Sequence, residues 1–283
     1  MEKLLIQSSI ALFIASVIAA RAFIRKSLDR SGAFFGFLVM ALHFAVGYRF
    51  GALILAFFIT SSKLTKVGED KKRSIDADFK EGGQRNWIQV LANSGIATVL
   101  VVIAGKLTGC QDKCLDTKDS AVVTCLIGGI IGHYACCNGD TWSSEIGMLS
   151  NAQPRLITTF KPVRRGTNGA VTTTGLLAAA AAGGVIGLTF VIFGFFTTKC
   201  NSDVALKQLL VIPLAVIAGL FGSLIDSLLG ATLQFSGFCT VVEKPGPTVK
   251  KISGMTILDN NAVNIVSVLL TTLLTSMACL YIF

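Results

Sequence analysis

Apolar positions gather into eight blocks along the chain, near residues 4–20, 33–47, 49–61, 88–107, 120–138, 170–196, 207–234 and 261–283, parted by stretches that hold most of the charge. A helix needs roughly 20 apolar residues to cross the hydrocarbon core of a bilayer. The pattern therefore predicts an all-α, polytopic helical membrane protein with about eight transmembrane helices. The second and third blocks are short and are separated by Gly47, Arg49 and Gly51 in "VGYRFG". Reading them as one tilted helix gives a seven-span alternative. No internal repeat is found. The small residues of "AAAAAGG" (178–184), and Gly128, Gly129 and Gly132, predict close helix packing.

Composition sharpens this picture. Hydrophobic residues make up 52% of the chain and charged ones 14%, against about 25% charged in soluble domains. Five prolines and no Ser/Gly linker leave no place for a separate soluble domain, so residues 1–283 read as a single integral-membrane domain. A net charge of +9 would suggest nucleic acid in a soluble protein. In a membrane protein it records orientation instead. Eighteen of the 25 Lys and Arg fall on the side holding 21–32, 62–87, 139–169 and 235–260, and seven on the other. This predicts cytosolic polar loops, with both termini and "CQDKC" (110–114) outside. No cleavable signal is visible, because Arg21, Arg25, Lys26 and Arg30 follow the first block. A chain that starts straight into a span argues against a plastid precursor and leaves the plasma membrane or endoplasmic reticulum.

Cys125, Cys136, Cys137 and Cys279 lie in or beside apolar runs and read as core thiols. Cys110 and Cys114 would close a small disulfide if their loop is extracytoplasmic. They make no zinc half-site, since no second Cys pair or His lies near. His43 and His133, without evident partners, read as structural.

Candidate chemistry collects at the ends of blocks that face the long polar loops. In "CNGDTWSSEIG" (137–147), Asp140 and Glu145 stand where an apolar run ends, an expensive place for idle charge. Asp226 lies inside "GSLIDSLLG" with Ser223 one turn before it and Ser227 beside it, and Asp259 opens "LDNNAVN" with Asn260, Asn261 and Asn264. Carboxylates and amide oxygens are the hard ligands that Mg²⁺ takes together with substrate phosphates. Asp140, Asp226 and Asp259 are thus candidate metal-holding and catalytic residues, with Glu145 and the amides in support. The bland alternative for Asp259 is a helix cap. "RRGTNGAVT" joins Arg164 and Arg165 to Gly166, Thr167, Asn168 and Gly169 at the start of a block. Glycine lets backbone approach a ligand, helix starts favour anions and arginine supplies charge, so this stretch suits a phosphate. It is not a Walker loop. Lys63, Lys71, Arg85 and Asn86 are further phosphate candidates from the first long loop, and Asn93, inside an apolar block, is a supporting one.

These motifs, "NGDTWSSEIG", "PRLITTFKPVRRGTNGAVTTTGL", "GSLIDSLLGATLQ" and "LDNNAVN", occur in order over nearly the whole chain and resemble the transmembrane protein 19 family (domain of unknown function 92). That family includes the chloroplast phytyl-phosphate kinase of tocopherol synthesis and a plant branch associated with glucose-responsive growth regulation. The chain is more distantly similar to polyprenol kinases and phosphatidate cytidylyltransferases, whose Gly-Asp motif resembles Gly139–Asp140 and whose acidic pair resembles Asp226–Ser227. It departs from them in having Thr-Asn-Gly where they have Lys-Thr-Trp-Glu-Gly. The resemblance implies an Mg²⁺-dependent membrane phosphotransferase carrying phosphate from a CTP-like nucleoside triphosphate to phytyl or another polyprenyl monophosphate. A non-catalytic membrane regulator is the second implied reading. A solute transporter ranks last, because the polar residues cluster at one membrane face and transporter sites sit at the midplane.

Overall fold

A computed structural model describes residues 2–75, 80–239 and 249–283, so parts of the first and third long loops lie outside the described residues. The described chain is helical almost throughout. Helices α1 (Glu2–Ile24), α2 (Arg30–Val46) and α3 (Tyr48–Lys66) are followed by the short α4 (Glu69–Arg73), then α5 (Trp87–Ala92), α6 (Gly95–Thr108) and the long α7 (Thr117–Leu149). After them come α8 (Thr173–Thr197), α9 (Ser202–Lys207), α10 (Val211–Leu233) and α11 (Asn260–Ile282). Two small antiparallel strand pairs interrupt this pattern, β1 (Arg155–Leu156) with β2 (Ala170–Val171) and β3 (Ser236–Cys239) with β4 (Val249–Ser253).

Five of these stretches are long and apolar enough to cross a membrane: 5–24, 117–149, 173–197, 202–233 and 260–282. The helices 30–46 and 95–108 are apolar but shorter. Between α2 and α3 the helix is broken at Gly47, which is extended, and the chain folds back so that Gly51 meets the Phe44 ring. The two blocks are therefore separate helices and not one tilted span. The fourth block differs from expectation in another way. It breaks at Asn93–Ser94 into α5 and α6, so Asn93 ends a helix and does not sit inside a span.

Helix α7 is the central element, packed against α8, α10 and α11. Its glycines make this possible. At Gly128, Gly129 and Gly132 an added Cβ would lie 2.4–2.6 Å from side-chain atoms of Cys279, Ser276 and Thr275 on α11. At Gly139 it would lie 2.4 Å from the carbonyl oxygen of Gly219 on α10. Gly183 of the "AAAAAGG" run meets the Ala215 backbone in the same way. Close backbone approach through small residues is how membrane helices pack when no hydrophobic drive separates helix from lipid.

The connections sort to two ends. At one, Lys66 Nζ donates to the Arg25 carbonyl, Asp29 N–H to the Arg85 carbonyl, and Lys71 Nζ to the Leu149 carbonyl. At the other, Arg49 Nε donates to Asp112 Oδ2 at 2.9 Å and its guanidinium stacks 4.3 Å over the Phe190 ring. Gln208 brackets the Leu115 backbone there at 3.0 Å on both sides, and Thr117 N–H reaches the Phe283 carbonyl. A disulfide joins Cys114 to Cys200 at this end. Cys110 is a free thiol, so the expected Cys110–Cys114 bridge does not form; Cys114 finds its partner 86 residues away.

Both histidines have partners. His43 Nδ1 meets the Val39 carbonyl at 2.8 Å and its Nε2 meets Tyr134 Oη at 2.7 Å, while His133 Nε2 meets the Asn93 carbonyl freed at the α5–α6 break, at 3.0 Å.

Candidate functional site

The stretch "CNGDTWSSEIG", expected to leave the membrane as a loop, instead continues α7 to Leu149. Asp140 and Glu145 are therefore helix residues facing neighbouring helices. The contact between Gly139 and Gly219 brings α10 close enough for Asp140 and Asp226 to place their carboxyl groups within hydrogen-bonding reach of each other. Helix α11 closes the site from a third direction. Ser267 Oγ donates to Asp226 Oδ2 at 2.9 Å. With its amide nitrogen turned toward α10, Asn264 donates to the same oxygen at 3.2 Å. Two carboxyl groups in contact repel unless a proton or a cation lies between them.

A second polar cluster adjoins the first. Lys72 Nζ lies 2.5 Å from Glu145 Oε2 and also donates to the Leu64 and Thr65 carbonyls at 2.9 and 3.0 Å. Arg85 donates from its two terminal nitrogens to Ser62 Oγ at 3.0 Å and to Thr65 Oγ1 at 3.5 Å. Burial pushes the Arg85 guanidinium below its ordinary pKa, and the charge of Glu145 opposes that shift. Asn138, fully buried two residues before Asp140, accepts from Thr60 and Ser61 hydroxyls at 3.0 Å and donates to the Ala182 carbonyl at 3.0 Å. Thus α3, α7 and α8 are tied by hydrogen bonds at the level of the carboxylates.

Other candidate residues lie elsewhere or are engaged. Asp259 is the exposed N-cap of α11, its Oδ1 accepting from Ala262 N–H at 2.8 Å. Asn86 caps α5 in a reciprocal pair with Gln89. Among the described residues no three His, Cys, Asp or Glu side chains form a ready-made metal shell. Lys63 is exposed, Asn260 is exposed and Asn261 half-buried at the start of α11, and Ser223 is buried in α10. The loop Arg164–Gly169 sits over the end of α10. An added Cβ on Gly169, whose φ is +75°, would lie 2.4 Å from the Ser227 carbonyl. Asn168 N–H donates to Ser236 Oγ at 2.9 Å, and Thr167 Oγ1 to the Arg164 carbonyl at 2.7 Å. Gly166 lies next to Ile75, just beyond α4, which brings this loop beside the segment that carries Lys72. Lys72, Asn138, Ser62 and Ser267 escaped the sequence reading. Only Asn138, an amide inside an apolar run, carried a signal that would have found it.

Comparison with known proteins decides the lineage. The profile of the integral membrane protein family DUF92 matches residues 13–272. The chain belongs to the DUF92 family. It is 73% identical over 277 residues to Protein PGR of Arabidopsis thaliana, covering 96% of each chain. It is 30% identical over 238 residues to the uncharacterized membrane protein MJ0933 of Methanocaldococcus jannaschii, covering 82% of this chain and 86% of that one. With Protein VTE6, chloroplastic, of A. thaliana it shares 27% over 208 residues, which is 73% of this chain and 56% of the relative. No solved structure matches. The DUF92 profile spans α7, α10 and most of α11, and so takes in Asp140, Asp226, Asn264 and Ser267.

Proposed function

We propose that this DUF92 protein is a membrane phosphotransferase that moves the terminal phosphoryl group of a CTP-like nucleoside triphosphate to an isoprenyl monophosphate such as phytyl or another polyprenyl phosphate. The observation that carries the reading is the Asp140–Asp226 pair, two carboxyl groups brought together by different helices, with buried Lys72 and half-buried Arg85 engaging Glu145 farther along the same helix as Asp140.

The donor set suits Mg²⁺. Two carboxylates, one steadied by Ser267 and Asn264, leave the remaining positions to phosphate oxygens and water, which is how Mg²⁺ is generally held. Asp140 and Asp226 would hold it, and it would supply positive charge against that of the phosphates. Asp259, expected as a third ligand, has a cap to make instead. In the transfer an oxygen of the acceptor phosphate forms a bond to the terminal phosphorus as the bond to the nucleotide's bridging oxygen breaks, releasing the nucleoside diphosphate. An acceptor that is already an anion at neutral pH needs no general base. The work left to the protein is positioning and charge stabilisation. Lys72 and Arg85 supply cations near Asp140 through Glu145, and the Arg164–Gly169 loop offers backbone and Arg165 for the nucleotide's phosphates. The polar loops would face the cytosol, where nucleotide is available, in the plasma membrane or endoplasmic reticulum.

The second reading is a non-catalytic membrane regulator of the glucose-responsive plant type. It is favoured by the lack of a three-ligand metal group among the described residues and by the capping roles of Asp259 and Asn86. The test uses protein purified in lipid, with transfer of labelled terminal phosphate from CTP, ATP, GTP or UTP to phytyl and farnesyl monophosphates measured with and without Mg²⁺. Mg²⁺-dependent transfer that Asp140→Asn and Asp226→Asn both abolish is expected. Folded protein that neither transfers phosphate nor binds nucleotide would overturn the enzyme reading in favour of the regulator.

A further inference from the structure

The connection between α10 and α11 is fixed to the end of a span. Residues 255–258 turn back on the last turn of α10: Met255 N–H donates to the Thr232 carbonyl at 3.0 Å, and Ile257 and Leu258 N–H donate to the Leu233 carbonyl at 3.1 and 3.0 Å. The reversal is tight, for Gly254 has a φ of +74° and an added Cβ there would lie 1.7 Å from the Gln234 carbonyl oxygen. The last carbonyls of a helix find no partner within it, and hydrocarbon offers none. Those of α10 are met by this returning segment, which therefore sits at the depth where the apolar stretch 202–233 ends. Strand β4 leads into it, with Ser253 paired to Ser236 and Lys251 to Gly237 of β3.

The side chains at this level are of two kinds. Phe235, Met255 and Ile257 are exposed, Ile257 by 62%. Lys250 and Lys251 are exposed as well, and among the described residues neither has a carboxylate partner. The acid nearest in the chain among those residues is Asp259, whose carboxylate is taken up by the α11 cap. Exposed apolar groups with cations just beyond them are the pattern of a segment lying in the headgroup layer, its apolar groups turned to the acyl chains. That layer is about 5–8 Å deep on each side of the hydrocarbon. Successive strand residues point to opposite faces, so Lys250 and Lys251 enter it on both sides of β4, and their long stems let each ammonium reach a phosphate. A soluble partner would give the apolar groups no reason to gather where the span ends.

We propose that β4 and the 255–258 turn form an interfacial foot that binds anionic phospholipid headgroups, with Phe235, Met255 and Ile257 on the acyl chains and Lys250 and Lys251 on the headgroup anions. The foot is independent of the phosphotransferase reading and serves an enzyme or a regulator alike. It belongs to the end proposed to face the cytosol, whose leaflet carries the anionic lipid.

The experiment places a tryptophan in the foot and asks which lipid quenches it. Full-length Ile257→Trp is reconstituted in vesicles holding equal amounts of phosphatidylcholine and phosphatidylserine, one or the other with brominated chains, and the parent's emission from Trp87 and Trp142 is subtracted. Attraction to anionic lipid amounts to roughly fivefold per lysine, so brominated phosphatidylserine is expected to quench at least about fivefold more effectively than brominated phosphatidylcholine. Adding Lys250→Gln and Lys251→Gln should make the two lipids equal while quenching by phosphatidylcholine persists. Met255→Trp repeats the measurement if Ile257→Trp does not reconstitute. Quenching by aqueous iodide and by neither lipid would show a water-facing segment and overturn the foot. Equal quenching with both lysines present, or a phosphatidylserine preference that survives their removal, would overturn the assignment of headgroups to Lys250 and Lys251.

Discussion

The ion pair between Lys72 and Glu145 offers the sharpest test of the site's construction. The Lys72 side chain is 2% exposed and that of Glu145 13%, with Nζ 2.5 Å from Oε2. Removing one partner from such a pair leaves a charge withdrawn from water and costs about 3–5 kcal/mol in general. Lys72 keeps the Leu64 and Thr65 carbonyls as acceptors, so Glu145→Gln should fall at the lower end, about 3 kcal/mol. At roughly 2–4 °C per kcal/mol for a chain near this size, apparent Tm in nanodiscs should drop by roughly 6–12 °C. The double variant Lys72→Met/Glu145→Leu separates charge from packing, because replacing both members of a buried pair by apolar groups is often close to neutral. It should recover most of the loss. A Glu145→Gln protein within about 2 °C of the parent would show that water reaches the pair freely. A double variant as unstable as the single one would show that the segment is held by shape and not by charge.

Two further outcomes follow from the ends of the molecule. Cys114→Ser removes a cross-link between residues 86 apart in the chain and should cost about 2–4 kcal/mol; reductant should lower the Tm of the parent and of Cys110→Ser alike, and leave Cys114→Ser unmoved. Asp29 caps α2 by accepting the Gly32 N–H at 2.7 Å, and that bond, followed by the Ser31 hydroxyl, holds its pKa below the ordinary 3.8. Its contribution is therefore present above the unfolded-state pKa and is lost as pH falls through the lower folded-state value, so Asp29→Asn should flatten the acid limb of a Tm-against-pH curve below about pH 4.

The apolar blocks foretold the helices because hydrocarbon leaves a spanning backbone few options other than helix. The break at Gly47 in "VGYRFG" was legible because its turn chemistry is local, whereas the one at Asn93–Ser94 went unread because hydropathy runs through it. The extension of α7 was not legible. "NGDTWSSE" reads as a loop because its polar groups are satisfied by residues far away in the chain, Asp140 against Asp226 and Glu145 against Lys72. Nothing in "GEDKKR" distinguishes Lys72, which is buried, from Lys71, which is exposed; only the packing of α4 against α7 does so. The same limit applied to Cys114, whose nearest thiol in sequence was Cys110 while the fold brought Cys200 to it.

The two ends of the molecule also differ in the chemistry they tolerate, and this bears on which way it faces. A structural disulfide persists on the oxidising side of a membrane, and Cys114–Cys200 lies at the end with Arg49, Asp112 and the C-terminal Phe283. Lys and Arg are enriched in the loops of the opposite end, the expected bias of a reducing cytosolic face. One signal is redox and the other electrostatic, and neither depends on the other. Both support the proposed cytosolic placement of the end holding Lys72, Glu145 and Arg85, where a triphosphate would be met. Labelling of free thiols in sealed cells probes the assignment: in a Cys110→Ser background, which removes the free thiol of the opposite end, a cysteine introduced at exposed Lys63 should react with a membrane-permeant maleimide and resist an impermeant one. Equal reaction with the impermeant reagent would invert the orientation and remove the nucleotide supply on which the phosphotransferase reading depends.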